Sequence, residues 1–117
     1  MAFIVTENAF TTKEQAIEEI EAANLWVFEA ELEAGEVAPH WHNFYAQTYV
    51  LEGQLNITDV AAEITYECGP GARIIGPPRT VHSEQCGGVK IVAGLAVDPS
   101  TLDEDINLDP AELRQRS

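Results

Sequence analysis

The stretch "APHWHNFYAQTYVLEG", residues 38–53, carries two of the three histidines of this chain. His40 and His42 stand two residues apart, directly before a run that reads as a β-strand. Residues i and i+2 of a strand point to the same face, so the two imidazoles would project side by side, about 7 Å apart along the backbone. This spacing suits two ligands of one metal ion. The third histidine, His82, lies in a separate strand-like run and is the candidate for a further ligand.

The residues around the histidines resemble the two sequence motifs of the cupin superfamily. The first motif is matched by Gly35, the triplet His40–Trp41–His42, and the phrase "YVLEG" that ends at Gly53. The second motif is matched by Gly71, Pro77 and His82 at the expected spacings. Together the motifs span residues 35–86, about half of the chain. The resemblance implies an all-β fold, a small double-stranded β-helix or jelly-roll barrel, with the three histidines as metal ligands inside it.

The chain departs from the cupin pattern at three positions. The glutamate of the first motif falls on Ala46 when counted back from Gly53, or on Gln47 when counted on from His42, so no carboxylate stands there. Arg79 replaces the second glycine of the second motif, and Cys86 stands where asparagine often closes it. Strand alternation turns Gln47 away from the cavity, and only a β-bulge would bring its carbonyl oxygen to a metal.

Other residues near the motifs are candidates for the pocket. Glu84 lies two residues past His82, so it is either a ligand or general base in the same cavity or one more exposed glutamate. Asn43 and Tyr45 flank the first pair and would lie at the pocket mouth. Arg79 either binds a substrate carboxylate at the cavity edge or pairs with the acidic surface.

Length and composition restrict the class of protein. The 117 residues fit one domain, and a net charge of −14 repels nucleic acid and anionic membrane surfaces. No apolar stretch approaches the ~20 residues of a membrane span, and the N-terminus lacks the pattern of a secretory signal, so we expect a cytoplasmic, acidic protein. The two cysteines are too few for a disulfide scaffold.

The chain divides into three segments. Residues 1–24 are expected to hold a strand and the single predicted helix, which pack on the barrel. The helix begins at a capping box of Thr12 and Gln15 and presents an apolar face of Ala16, Ile17, Ile20 and Ala23. Residues 25–98 form the barrel, with strand-like runs at 25–32, 47–53, 54–60, 62–69, 72–78, 80–86 and 89–97. Residues 99–117 form an acidic tail. The apolar stripe of Trp26, Phe28 and Leu32 leads us to expect a homodimer.

These observations predict a metal-binding protein. A divalent transition metal, Fe, Zn, Ni or Mn, would sit on the three histidines, and the resemblance implies an enzyme acting on a small organic molecule, with an oxygenase among the candidates. The alternatives are a non-catalytic module that binds a small ligand and a structural homodimer with a vestigial site.

Overall fold

The computed structural model describes residues 3–101, in which seven strands form one antiparallel sheet and one α-helix packs on its outside. The elements in chain order are β1 (Ile4–Thr6), α1 (Lys13–Ala22), β2 (Trp26–Leu32), β3 (Gly35–His40), β4 (Ala46–Asp59), β5 (Ile64–Cys68), β6 (Arg73–Gly76) and β7 (His82–Leu95), followed by a 3₁₀ turn at Pro99–Thr101. Most of the predicted acidic tail, from residue 102 on, lies outside the described residues.

Two 14-residue strands, β4 and β7, organise the sheet by pairing with each other along their length. The first half of β4 and the second half of β7 lie between β6 and β2, whereas the other halves lie between β5 and β3. The same two strands therefore belong to both walls, and the walls enclose a core between them. This is the predicted all-β double-stranded β-helix with one helix before it.

Glycines bend both long strands where the sequence predicted separate strands. Gly53 has φ +84° and Gly88 has φ +106°, backbone conformations that glycine adopts without the steric cost of a side chain. The register of β4 against β7 shifts between Val50 and Glu52 and again between Gly53 and Leu55. The predicted break at Glu52–Gly53 is thus a bulged bend inside one strand. The short strand β3 was not predicted, whereas β1 lies in the segment 1–24 that was expected to hold a strand as well as the helix.

Helix α1 begins with the predicted capping box, in which the Thr12 hydroxyl accepts from the Gln15 amide and the Gln15 side chain caps the backbone of Thr12. Ala16 and Ile20 of its apolar face are fully buried, but Ala23 is exposed because it caps the helix C-terminus. The helix packs against the outer side of β4, β7 and β2. In residues 3–101 no helix has the length and apolar character to cross a lipid bilayer.

The interior between the two walls is filled by branched and aromatic side chains. Val50, Leu55, Ile57, Ile74 and Val89 are among the buried members of the largest apolar cluster. The same cluster contains the Cys68 thiol, and burial raises its pKa to about 11, so it stays protonated and unreactive at neutral pH.

The apolar stripe of β2 divides between the core and the surface. Phe28 packs against the cluster of Phe44, Ala93 and Leu95, and Leu32 packs against the largest cluster. Trp26, at the start of this edge strand, remains 51% exposed. Only part of the stripe is therefore available to a second subunit.

The homodimer remains a prediction. We expect sedimentation velocity at micromolar concentration to give twice the chain mass of 12.8 kDa, because an exposed tryptophan on an edge strand offers a large apolar contact. Trp26→Ser should shift the distribution toward monomer. A wild-type protein that sediments only as monomer contradicts the prediction.

The bend at Gly53 gives a test of the fold. A Cβ at Gly53 would lie 2.2 Å from the Gly88 carbonyl oxygen, and the positive φ adds strain. We expect Gly53→Ala to lower the free energy of unfolding by at least about 2 kcal/mol in urea titrations. The control is Gly87→Ala, where a Cβ meets no atom within 4 Å and the change should stay within about 0.5 kcal/mol. Equal effects of the two variants would contradict the proposed bend.

Candidate metal centre

The three histidines converge at one end of the barrel interior. His40 ends β3, His82 begins β7, and the two residues are register partners across the sheet. The ring centroids of His40 and His82 lie 4.3 Å apart, and that of His42 lies 5.0 Å and 5.1 Å from them. One ring nitrogen of each residue lies within 4.8 Å of the others. His40 and His82 are buried and His42 is half-buried, so the group is largely shielded from solvent.

Backbone carbonyls fix the orientation of two of the rings. His40 Nδ1 lies 2.8 Å from the carbonyl oxygen of Ala38, and His82 Nδ1 lies 2.9 Å from that of Thr80. A carbonyl oxygen can only accept, so both Nδ1 atoms must carry the proton. A neutral imidazole in this tautomer has its lone pair on Nε2, which is the form that binds a metal. In both cases the acceptor lies two residues before the histidine.

Aromatic rings pack against the other faces of the histidines. Phe3 meets His82 edge to face at 5.1 Å, and Phe44 stacks on His42 at 5.3 Å. Sequence reasoning missed both residues. Phe44 follows His42 by two positions, a signal that could have identified it, whereas nothing in the sequence links Phe3 to residue 82. The N-terminal segment therefore forms part of the wall of the site.

The side chain of Glu84 also lies beside the histidines. Its Oε1 atom lies 3.4 Å from His82 Nε2 and 3.8 Å from His40 Nε2, and only 20% of the side chain is exposed. Burial by itself would raise the pKa of Glu84, but the contact with His82 and the neighbouring imidazoles of His40 and His42 outweigh it and lower the pKa. Of the two alternatives left open by the sequence, the geometry matches the one in which Glu84 faces the histidines.

A cavity of about 80 Å³ adjoins two of the three histidines, His42 and His82. That volume has room for several water molecules, since one needs roughly 10–15 Å³ on the same measure. Its polar lining comes from His42, His82, Glu84, Thr48 and Thr80. The remaining lining is apolar and comes from both walls of the barrel, including Leu55, Ile57, Ile74, Ile91 and Phe44. Ala46 and Thr48 also line it, as the strand alternation of β4 predicted.

Gln47 points to the opposite side of β4. Its side-chain oxygen accepts from the Tyr45 hydroxyl at 2.8 Å, and its amide donates to the Tyr49 hydroxyl at 2.6 Å. Tyr49 in turn donates to Glu19 of helix α1 at 2.9 Å, and Arg73 donates to the same carboxylate at 3.0 Å. Burial is the main cause that raises the pKa of Tyr49. The structure thus assigns Gln47 and Tyr45 to a polar network beneath the helix and does not bring them to the histidines.

Two further candidates lie at the surface. Asn43 and Arg79 are exposed, and neither is one of the described residues that line the cavity. The Arg79 amide donates to the carbonyl oxygen of His42 at 2.8 Å, so its backbone holds the segment that carries His42. Arg79 has φ +66°, the left-handed conformation that glycine adopts most easily. This explains why the second motif has glycine at this position.

Comparison with known proteins supports the fold. No protein-family model matches the sequence, and no curated protein sequence matches it. A DUF861-family protein from Thermotoga maritima superposes with a TM-score of 0.58 at 15% identity, over 80% of this chain and 99% of that one. The polyketide cyclase RemF from Streptomyces resistomycificus gives 0.53 at 28% identity, over 76% and 66%. An RmlC-like cupin from Shewanella frigidimarina gives 0.50 at 18% identity, over 65% and 71%. The chain has the cupin fold.

The strained backbone at residue 79 predicts a stabilising substitution. We expect Arg79→Gly to raise the free energy of unfolding by about 0.5–1 kcal/mol, because relief of the left-handed strain exceeds the entropy that glycine gains in the unfolded chain. Arg79→Ala keeps the strain and is the matched control, with no gain expected. Urea titrations of both variants measure the difference, and a loss of stability in Arg79→Gly would show that the arginine side chain matters more than the backbone.

Proposed function

We propose that this cupin-fold protein binds a divalent transition metal through His40, His42 and His82 and acts as an enzyme on a small organic molecule in the adjoining cavity. The observation that carries the proposal is the convergence of three imidazoles, two of them held by carbonyl oxygens in the tautomer that exposes Nε2. A metal ion can take one nitrogen ligand from each of the three rings.

The donor set fits a transition metal. Two ligands of one ion lie about 3.0–3.4 Å apart when each metal–ligand bond is ~2.1 Å, and the histidine nitrogens are already within 4.8 Å of one another. Movements of less than about 1 Å by each ring would close the site. Imidazole nitrogen suits Fe, Zn and Ni, and Mn is accepted when oxygen ligands join. A metal held there supplies Lewis acidity to an oxygen atom of the bound molecule.

The lining of the cavity favours one class of substrate. Among the described residues that line it, Glu84 carries the only formal charge, and the rest of the wall is apolar apart from histidines and threonines. No arginine or lysine of residues 3–101 lines the cavity to bind a phosphate or carboxylate. We infer a small, uncharged molecule with an apolar body and an oxygen donor that faces the histidines. The similarity to the polyketide cyclase RemF supports an enzyme with an organic substrate.

The metal site can be tested without knowledge of the substrate. We expect the full chain, purified without a histidine tag and stripped of metal, to bind Co²⁺ or Zn²⁺ at one equivalent in titrations followed by elemental analysis. His42→Ala and His82→Ala should each weaken binding by at least a hundredfold, because each removes a ligand.

Gln47→Ala is the matched control for these variants. Gln47 lies on β4, close in sequence to His40 and His42, but its side-chain amide forms hydrogen bonds with Tyr45 and Tyr49 on the far side of the strand. Its metal affinity should equal that of the wild type. Undiminished binding by both histidine variants would refute the metal site.

The alternative function is a module that binds a small ligand without converting it. The small size and largely apolar lining of the cavity favour this alternative. The two functions differ in the fate of the ligand. Metal-loaded protein incubated with a mixture of small uncharged metabolites should deplete one of them and form a new product by mass spectrometry if it is an enzyme. The His82→Ala variant should leave the mixture unchanged. Retention of a compound without conversion would favour the binding module.

A further inference from the structure

Glu84 brings a carboxylate oxygen close to nitrogens of two of the three histidines. His82 and Glu84 stand two apart on β7, so both side chains enter the barrel from the same strand face. The Glu84 Oε1 atom is 3.4 Å from His82 Nε2 and 3.8 Å from His40 Nε2. The carboxylate oxygen therefore lies at comparable distances from one nitrogen of each of the two rings.

The two rings held by carbonyl oxygens present the same atom to the carboxylate. Because Nδ1 of His40 and Nδ1 of His82 donate to carbonyl oxygens, Nε2 is the nitrogen that each ring turns toward Glu84. The separations of 3.4 Å and 3.8 Å between this oxygen and the two Nε2 atoms are close to the ~3.4 Å edge of a tetrahedron of ligands around one metal.

We propose that Glu84 is the fourth protein ligand of the metal, a carboxylate supplied from β7 two residues after His82. The inference rests on the proposed three-histidine site. It gives the centre the carboxylate that the sequence lacks at Ala46 and Gln47, and it brings that carboxylate from a different strand. Ala46 lines the same cavity, so the vacant position of the motif and Glu84 face one space.

The carboxylate changes the chemistry expected of the centre. Three neutral imidazoles leave a divalent ion with its full charge, whereas one carboxylate reduces the net charge of the site by one unit. A carboxylate oxygen is a hard ligand that suits Mn²⁺, whereas imidazole alone suits Zn²⁺ and Cu²⁺. The centre then prefers an uncharged substrate oxygen to an anion. This agrees with a cavity wall in which no described residue carries a positive charge.

The experiment compares metal affinities of the full, metal-free chain. Glu84→Gln keeps the shape of the side chain and removes its charge. Glu67→Gln is the matched control, since it makes the same change at an exposed position of β5. We expect Glu84→Gln to weaken Mn²⁺ binding at least tenfold, because loss of a group that merely supports a metal ligand already costs 10–100-fold in metal affinity. Zn²⁺ binding should weaken by a smaller factor, because Zn²⁺ depends less than Mn²⁺ on oxygen ligands. Glu67→Gln should match the wild type for both metals.

A second measurement uses the wild type and does not depend on how the variant folds. A crystal structure of the Mn²⁺-loaded protein should place a Glu84 carboxylate oxygen about 2.0–2.2 Å from the ion. An oxygen more than about 3 Å away, or equal Mn²⁺ affinities of Glu84→Gln and Glu67→Gln, would overturn the inference. The three-histidine site would survive that result if His42→Ala and His82→Ala still lost the metal. Failure of the wild type to bind either metal would overturn both proposals.

Discussion

The antiparallel pairing of β4 with β7 is the constraint on which the remainder of the structure depends. Each strand gives one half to each wall of the barrel, so their common bend at Gly53 and Gly88 sets how the walls face one another. The same pairing fixes which residues enter the cavity, because a slip of one residue would turn every inward side chain to the other face. Thr48 of β4 and Ile91 of β7 line the cavity for this reason.

Local patterns predicted those features that depend on near neighbours in the chain. The capping box of α1 involves only Thr12 and Gln15, which are three residues apart. Strand alternation correctly predicted that Ala46 faces the cavity and that Gln47 faces the opposite side of β4. The glycine at position 53 was harder to interpret, because a positive φ serves a turn and a bulge equally well. What decides between them is the partner strand, which the local sequence does not reveal.

The meeting of the three histidines was predictable from the sequence, whereas their surroundings were predictable only in part. The spacing of His40, His42 and His82 carried the prediction of a shared location. Backbone carbonyl oxygens accept from Nδ1 of His40 and of His82, and a backbone carbonyl is present whatever residue type stands at that position. Phe3 is 79 positions from the ring it packs on and reaches it because β1 pairs with β6. Such contacts follow from topology, so they could not be read from the sequence.

The docking of Phe3 on His82 also bears on how the protein folds. The contact joins the first described residue to the start of the last strand, so it closes a long loop of chain. Loop closure of this kind is slow, and chains dominated by distant pairings fold over milliseconds to seconds. The pairing of His40 with His82 likewise joins the end of β3 to the start of the last strand. A nascent chain cannot assemble this centre until β7 has left the ribosome.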